Sequence, residues 1–448
     1  MINPSTLYIQ NKYQFTKLDE NYIMEQVSNA LHRSFKRFIK YNPPNASCKL
    51  YSNSKFKKDY SIYSGTGGNI YVYWRYHLFN KNKKFGDDSA LNYMKDAFEV
   101  NFNLLKETEN SKQFDILDQS TSFFHGPIGI YTMGCILAKE TQDESFFIEN
   151  LNGVLKYKKT VLSDYSEDEL LYGNAGYLYS LSLIYKITTT EENFMNYSSI
   201  IQENLVDVIK YLFEIGSNLK KEYNTKFMVF PFPRINTKRK SSKFYLGGAH
   251  GIFGVLFEML NAINLIEEIN ENLKFIKNEI KNDLFELSKF QFESGNFPSS
   301  LNKSADDLIQ FCHGATGAVF LYGLAYEIFK EDLFLKVATR CGDTIWERGL
   351  LKKGNGVCHG ITGNAYALFF LNKITNDTDW LYKAYCFTLA TFDEDLQNRF
   401  KDNDPSSRLI KGIPDTPYSL MEGEGGTICL YSEILNNIKY VKLPGYEI

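Results

Sequence analysis

Apolar residues in this chain occur in two kinds of run, and the two alternate. One kind is amphipathic. In DDSALNYMKDAFEVNFNLLK (87–106), Leu91, Met94, Phe98, Phe102 and Leu105 recur at steps of three and four, the spacing of one helical face. Asp87 and Asp88 stand where carboxylates favour a helix start. Comparable segments lie near 20–40, 143–163, 190–214, 263–292, 331–349 and 378–396. The other kind is apolar and aromatic nearly all round: NIYVYW, IYTMGCIL, YLYSLSLI, VLFEML, AVFLYGLAYEIF, NAYALFFL and TICLYSEIL. Length and context predict buried helices for these runs rather than strands.

Each apolar run follows a Gly-x-x-Gly pair: Gly65/Gly68, Gly126/Gly129, Gly173/Gly176, Gly251/Gly254, Gly314/Gly317, Gly360/Gly363 and Gly423/Gly426. Successive pairs are 61, 47, 78, 63, 46 and 63 residues apart. Two helices of about 15–20 residues plus loops fill even the shortest interval, the length of a helical repeat. The repeating unit reads as an outer amphipathic helix, a loop, the glycines, then an inner apolar helix. Seven such units cannot bury their inner helices separately, and a closed double ring of helices solves that. The expected fold is therefore all-α, a toroid of seven inner and seven outer helices. It is expected to be a single domain over 1–448, with a basic surface loop inserted at 234–244. The glycines let the chain turn into the inner helix and let neighbouring helices approach closely. A side chain just before each pair then sits at an inner-helix N-terminus, where backbone N–H groups and the helix dipole favour anions, thiolates included.

The chain has only 6 His in 448 residues, yet four of them precede the first glycine of a pair: His125, His250, His313 and His359. Two of those mouths spell Cys-His-Gly, at Cys312-His313 and Cys358-His359. The 7 Cys are odd in number and widely spaced, a poor disulfide framework that fits a reducing, cytoplasmic setting. Cys48, Cys135, Cys341, Cys386 and Cys429 read as small buried hydrophobes. A net charge of −3 leaves no general nucleic-acid footprint. MINPSTLYIQNKYQF is not patterned as a secretory signal, and no run approaches the ~18 apolar residues of a spanning helix. NTKRKSSK (236–243) is a candidate basic lip for phosphorylated or acidic protein, or an ordinary solvated loop.

Cys sulfur and His nitrogen in tetrahedral array suit zinc, and the candidates lie in the mouths at His250, Cys312-His313 and Cys358-His359. No C-x-x-C spacing occurs, so the fold must bring the ligands together. Three protein ligands and one open position describe a catalytic zinc. Two thiolates and a neutral His would leave the ion neutral, and a thiol entering the open position would lose its proton readily. That chemistry points to activation of a substrate thiol rather than of water.

These stretches resemble the lanthionine synthetase C-like proteins, most closely their eukaryotic branch. The resemblance runs from YSGTGG (63–68) through LLYGNAGY, GGAHGIFG, SGNFP, FCHGATG, GLLKKGNGVCHGITGNAYA and PDTPYSLMEGEGGTI to the terminal LPGYEI. It implies a seven-fold α/α toroid and zinc held by Cys312, Cys358 and His359. It implies that His250 handles the proton at the addition step and that Lys353 contacts a glutathione carboxylate. His313 is either a second proton-transfer group or a structural neighbour. The implied reaction adds the glutathione thiol to dehydroalanine or dehydrobutyrine in proteins, residues left when phosphate is eliminated from phosphoserine or phosphothreonine. The alternative is a non-catalytic scaffold that binds zinc and glutathione and regulates protein partners such as kinases. A glycosidase or terpenoid cyclase on a similar barrel would need paired carboxylates or Asp-rich motifs, where these mouths carry Cys and His. Two departures from the family stand out. Eukaryotic relatives carry an early N-terminal Arg that helps bind glutathione, whereas the first Arg here is Arg33, preceded only by Lys12 and Lys17. Asn174 stands where relatives carry Arg, while Glu169 matches a carboxylate that relatives often have.

Overall fold

The computed structural model describes residues 7–11, 13, 19–46, 58–79, 81, 84–85, 88–234, 242–266, 271–399 and 416–448. Lys12, Lys17, Cys48 and most of the basic lip (235–241) lie outside them. The inner helices are α2 (Gly67–Phe79), α4 (Pro127–Thr141), α7 (Asn174–Thr190), α9 (Ile252–Ile266), α11 (Ala315–Phe329), α13 (Ile361–Thr375) and α16 (Glu424–Asn436). The outer helices are α1 (Glu20–Tyr41), α3 (Ala90–Glu109), α5 (Glu144–Leu155), α8 (Ser198–Glu222), α10 (Glu271–Leu287), α12 (Asp332–Arg348) and α14 (Thr378–Ala390). Two short helices, α6 (Lys158–Val161) and α15 (Glu394–Arg399), follow α5 and α14. Among the described residues the only named strands are the two-residue pair Lys84–Phe85 and Asp88–Ser89. The fold is an all-α toroid.

Burial separates the two kinds of helix as their patterns predict. Every residue of α4 from Pro127 to Ala138 is buried, and so is α11 from Ala315 to Ala325. By contrast α1 buries one stripe: Ile23, Val27, Ala30, Leu31, Ser34, Phe35 and Phe38. In α3 the buried face is turned slightly from the expected one. Ala97, Asn101 and Leu104 join Met94, Phe98 and Leu105, while Leu91 and Phe102 are only half-buried. Asn101 sits in this face because its side chain is satisfied there, accepting from Thr66 Oγ1 at 2.7 Å and donating to the Ala97 carbonyl at 2.7 Å. The segment expected at 190–214 opens as a 3₁₀ turn and becomes α8 only at Ser198.

Inner helices contact one another in chain order, α2 to α4, α7, α9, α11, α13 and α16, and α16 contacts α2. The circle is closed. Spacing alone paired each inner helix with the outer helix before it, and the structure corrects this. Helices α2, α4, α7, α11 and α13 pack mainly on the outer helix that follows, and α1 packs on α16. Short connections explain the difference. Gln142, Lys330 and Asn376 take left-handed φ of 55°, 55° and 54°, ending the inner helix, and the next residue is already the N-cap of the outer one. Asp143 and Asp377 then cap α5 and α14 through their side chains. The longer connections, outer to inner, carry the glycine pairs.

Those longer loops are tied into a belt. Met421 N–H donates to the Tyr63 carbonyl (3.2 Å), Cys358 N–H to Met421 (2.8 Å) and Cys312 N–H to Cys358 (3.2 Å). Gly248 N–H donates to Phe311 (3.0 Å), Leu170 N–H to Ala249 (3.2 Å) and Ser122 Oγ to Leu170 (2.6 Å). Tyr63 N–H donates to Phe124 (3.1 Å) and completes the circuit. Glycine is required here mainly for room. A Cβ on Gly317 would lie 2.7 Å from the Gly248 nitrogen of the neighbouring loop. Of the paired glycines only Gly314 has a positive φ, 101°, and a Cβ there would also strike the Leu308 carbonyl.

Candidate metal centre

The belt fixes a common register at the mouths. Two residues before the first glycine stand Tyr63, Phe124, Leu171, Ala249, Cys312, Cys358 and Met421, all buried. One residue before it stand Ser64, His125, Tyr172, His250, His313, His359 and Glu422, all at least partly exposed. The inward position packs against the ring and the next one opens to the mouth. Two inward positions are cysteines, on adjacent loops leading into α11 and α13.

Their ligand atoms meet. Cys312 Sγ, Cys358 Sγ and a ring nitrogen of His359 all lie within 4.8 Å of one another. The Cys312 N–H to Cys358 carbonyl bond ties the two loops directly. Cys312 Sγ also contacts Gln310 Oε1 at 3.3 Å. Hydrogen bonding with Cys312, then burial and the Cys312 charge, push the Cys358 thiol well up. Two buried sulfurs side by side cannot both ionise unaided, so this donor set suits a soft or borderline cation such as zinc.

Beside it stands a carboxylate–imidazole pair. His250 Nδ1 lies 3.0 Å from Glu169 Oε2, and Glu169 is only 2% exposed. The same carboxylate accepts from the N–H groups of Leu171 (2.9 Å) and Tyr172 (2.6 Å), so it is held rigidly. Burial works against a charged His250, but the Glu169 hydrogen bond and charge, with help from Cys358, raise its pKa overall. His313, with its ring centroid 6.4 Å from that of His250, is pushed the other way to about 4, by burial and then by the charges of His250, Lys303, Lys353 and His359. Its Nδ1 is buried without a hydrogen-bond partner.

The remaining sequence candidates divide. Lys353 is exposed, and its charge is felt at both His313 and His359. It follows a β-bridge between Tyr8 and Leu351, which brings the early N-terminal segment to this rim. His125 stacks on Tyr172 at 4.4 Å and is pushed down to about 4, chiefly by burial. Asn174 is fully buried and joins Thr121, Ser166 and the Val161 carbonyl in a structural knot. Cys135, Cys341, Cys386 and Cys429 are buried and unpaired, as small hydrophobes should be.

Sequence reasoning passed over Glu422, Tyr172, Phe232, Tyr245 and Arg234. Glu422 and Tyr172 were findable, because they occupy the register of the four histidines. Glu422 accepts from Thr416 Oγ1 at 2.8 Å, and its charge acts on His359. Phe232 pairs with Lys243 and Tyr245 with Ser300 in isolated β-bridges, with ring centroids of Phe232 and Tyr245 4.7 and 6.2 Å from that of His250, and nothing local marked them.

Residues 57–448 match the lanthionine synthetase C-like protein family. The chain belongs to that family. Glutathione S-transferase LANCL1 of Danio rerio is 28% identical over 393 residues, covering 87% of this chain and 86% of that protein. This relative supports the expected likeness to the eukaryotic branch. Nisin cyclase superposes with a TM-score of 0.61 at 16% identity, covering 95% of this LanC-like chain and 96% of its own, a likeness of fold. Membership supports an enzymatic, thioether-forming class and a glutathione-related function at that coarse level. Among the described residues no helix is long and apolar enough to cross a membrane.

Proposed function

We propose that this protein adds the thiol of glutathione to dehydroalanine or dehydrobutyrine residues in proteins, forming a thioether. The observation that carries the reading is the pairing of a Cys312–Cys358–His359 donor set with the Glu169–His250 couple at one rim. Zinc in that set would lower the pKa of a bound thiol and hold its sulfur as thiolate.

The chain's own groups then divide the work. His250, whose acid form Glu169 favours, would give a proton to the α-carbon once sulfur has bonded to the β-carbon and the double bond has opened. Acid catalysis of this kind contributes about 10²–10⁴-fold. Glu169 orients the ring, since its two oxygens are fixed by backbone N–H groups. His313, the chain neighbour of Cys312, would be the second proton-transfer group that takes up the thiol proton. Lys353, exposed at the rim with the N-terminal segment paired beside it, would meet a glutathione carboxylate.

The test is a mass-spectrometric addition assay with metal-loaded protein, glutathione and a dehydroalanine peptide. Adduct above the uncatalysed background, lost in Cys312→Ala and His250→Ala, is the expected result. No adduct with zinc bound at one equivalent would favour the non-catalytic scaffold instead.

A further inference from the structure

Beside His250, one side of the mouth is walled with the rings of Phe232, Tyr172 and His125, which the addition chemistry does not use. Tyr172 is 38% exposed although it sits at the chemical rim. One neighbour is the His125 ring, 4.4 Å away and tilted by 6°. Towards the reacting centre lie Phe232 (5.9 Å, 15°) and His250 (6.0 Å, 10°), and Phe232 is itself stacked on His250 (4.7 Å, 17°). Four nearly parallel rings thus lead from the proposed acid out along the rim.

The wall is braced. Phe232 exchanges backbone hydrogen bonds with Lys243 at 2.9 and 3.1 Å. Two residues on, Arg234 forks onto both oxygens of buried Asp168 at 2.9 Å each, and its N–H meets Glu167 Oε2 at 2.8 Å. Bidentate pairing of this kind fixes geometry as well as energy. Asp168 is the chain neighbour of Glu169, so the wall and the carboxylate that orients His250 share one foundation. Tyr172 is held on the same base through its N–H to Glu169.

An aromatic rim held this rigidly presents a preformed apolar face to whatever enters. Glutathione has no ring or large apolar side chain to cover it. A residue flanking the reacting one can do so. Its Cα is about 3.8 Å from that of the dehydroamino acid, and aromatic side chains engage at centroid separations of about 4.5–7 Å. A residue next to one whose α-carbon faces His250 therefore falls within stacking reach of Tyr172.

Resting on the addition reaction proposed above, we infer that Tyr172 and Phe232 form a subsite for an aromatic side chain adjacent to the dehydroamino acid. The substrate class is narrowed to dehydroalanine and dehydrobutyrine flanked by Phe, Tyr or Trp.

Three blocked peptides test it with glutathione and zinc-loaded protein: Gly-dehydroalanine-Gly, Phe-dehydroalanine-Gly and Gly-dehydroalanine-Phe. At least one Phe peptide should show kcat/KM about three- to tenfold above the glycine peptide, through KM, the scale of one aromatic pair. Tyr172→Ala should erase that ratio and Tyr172→Phe should keep it. Equal values for all three peptides in the wild type, or a ratio that survives Tyr172→Ala, would overturn the subsite while leaving the addition reaction standing. No addition to any peptide would overturn both.

Discussion

The same inner helices end in two different chemistries. At their N-termini stand Cys312, Cys358, His359, His250 and Glu169, partly open and only partly paired. Towards their C-termini stand cations in ion pairs: Arg75 against Glu433 at 2.7 Å, Lys373 near Glu447 at 3.7 Å and Lys139 near Glu140 at 3.2 Å. The negative end of the helix dipole favours the cations there, and each is paired with a carboxylate beside it. What differs is what the groups meet, since even at the closed end Arg75 Nε and Glu433 Oε1 are buried without a well-formed hydrogen bond. The closed end uses its charges on one another, whereas the open end keeps sulfur and imidazole available. Burial pushes Glu433 up to about 7 even beside Arg75; burial also works against a charged Arg75, but the Glu433 charge, with help from its neighbours, raises the Arg75 pKa overall. The open end faces the same penalty for Cys358 but has donors arranged for a cation to relieve it.

The largest expected effect breaks the open end alone. Cys358→Ala should lower bound zinc from about one equivalent to none by elemental analysis, and the addition rate by about 10³-fold or more, the scale of several kcal/mol of metal-ion stabilisation. Next comes His250→Ala, with a loss of about 10²–10⁴-fold and zinc retained. The pH profile separates charge from packing. His250 is raised, so its acid form persists above the ordinary imidazole range and the rate falls as pH climbs through that raised value. Glu169→Gln should move this limb to lower pH.

At the closed end, Arg75→Met leaves Glu433 buried without its partner. The expected cost is about 3–5 kcal/mol by urea unfolding, with zinc content unchanged. Arg75→Met combined with Glu433→Leu should recover much of it. The smallest effect lies between the ends. Glu258 is fully buried on α9 with neither oxygen in a well-formed hydrogen bond, and burial raises its carboxyl well above the usual range. A raised acid binds its proton more tightly when folded, so stability falls as pH rises from the ordinary carboxylate range towards the raised value, by up to about 1.4 kcal/mol per pH unit. Glu258→Gln should therefore gain more in Tm at pH 8 than at pH 5.

The sequence was most informative where periodicity and glycine coincide. Helix type and the closed ring follow from runs such as AVFLYGLAYEIF and from repeated Gly-x-x-Gly, because both reflect local packing rules. Cys312, Cys358 and His359 were visible because a rare pair of residue types recurred at one register. Glu169 was a weaker candidate, since its importance comes from a contact with His250, 81 residues away. Phe232 and Arg234 were invisible for the same reason, since His250 and Asp168, which they meet, are distant in the sequence. The pairing of inner with outer helices was misjudged because spacing records intervals, whereas the left-handed caps at Gln142, Lys330 and Asn376 decide which neighbours touch.

The belt of main-chain bonds has a further consequence for how this architecture can change. A hoop closed largely through peptide groups keeps its circumference whatever side chains hang from it. The residue beside each glycine is then a socket that can be refitted without moving its neighbours. Ser64, His125, Tyr172, His250, His313, His359 and Glu422 already span hydroxyl, imidazole, phenol and carboxylate. New reactivity can be installed at a rim of this kind one fitting at a time, with the frame left untouched.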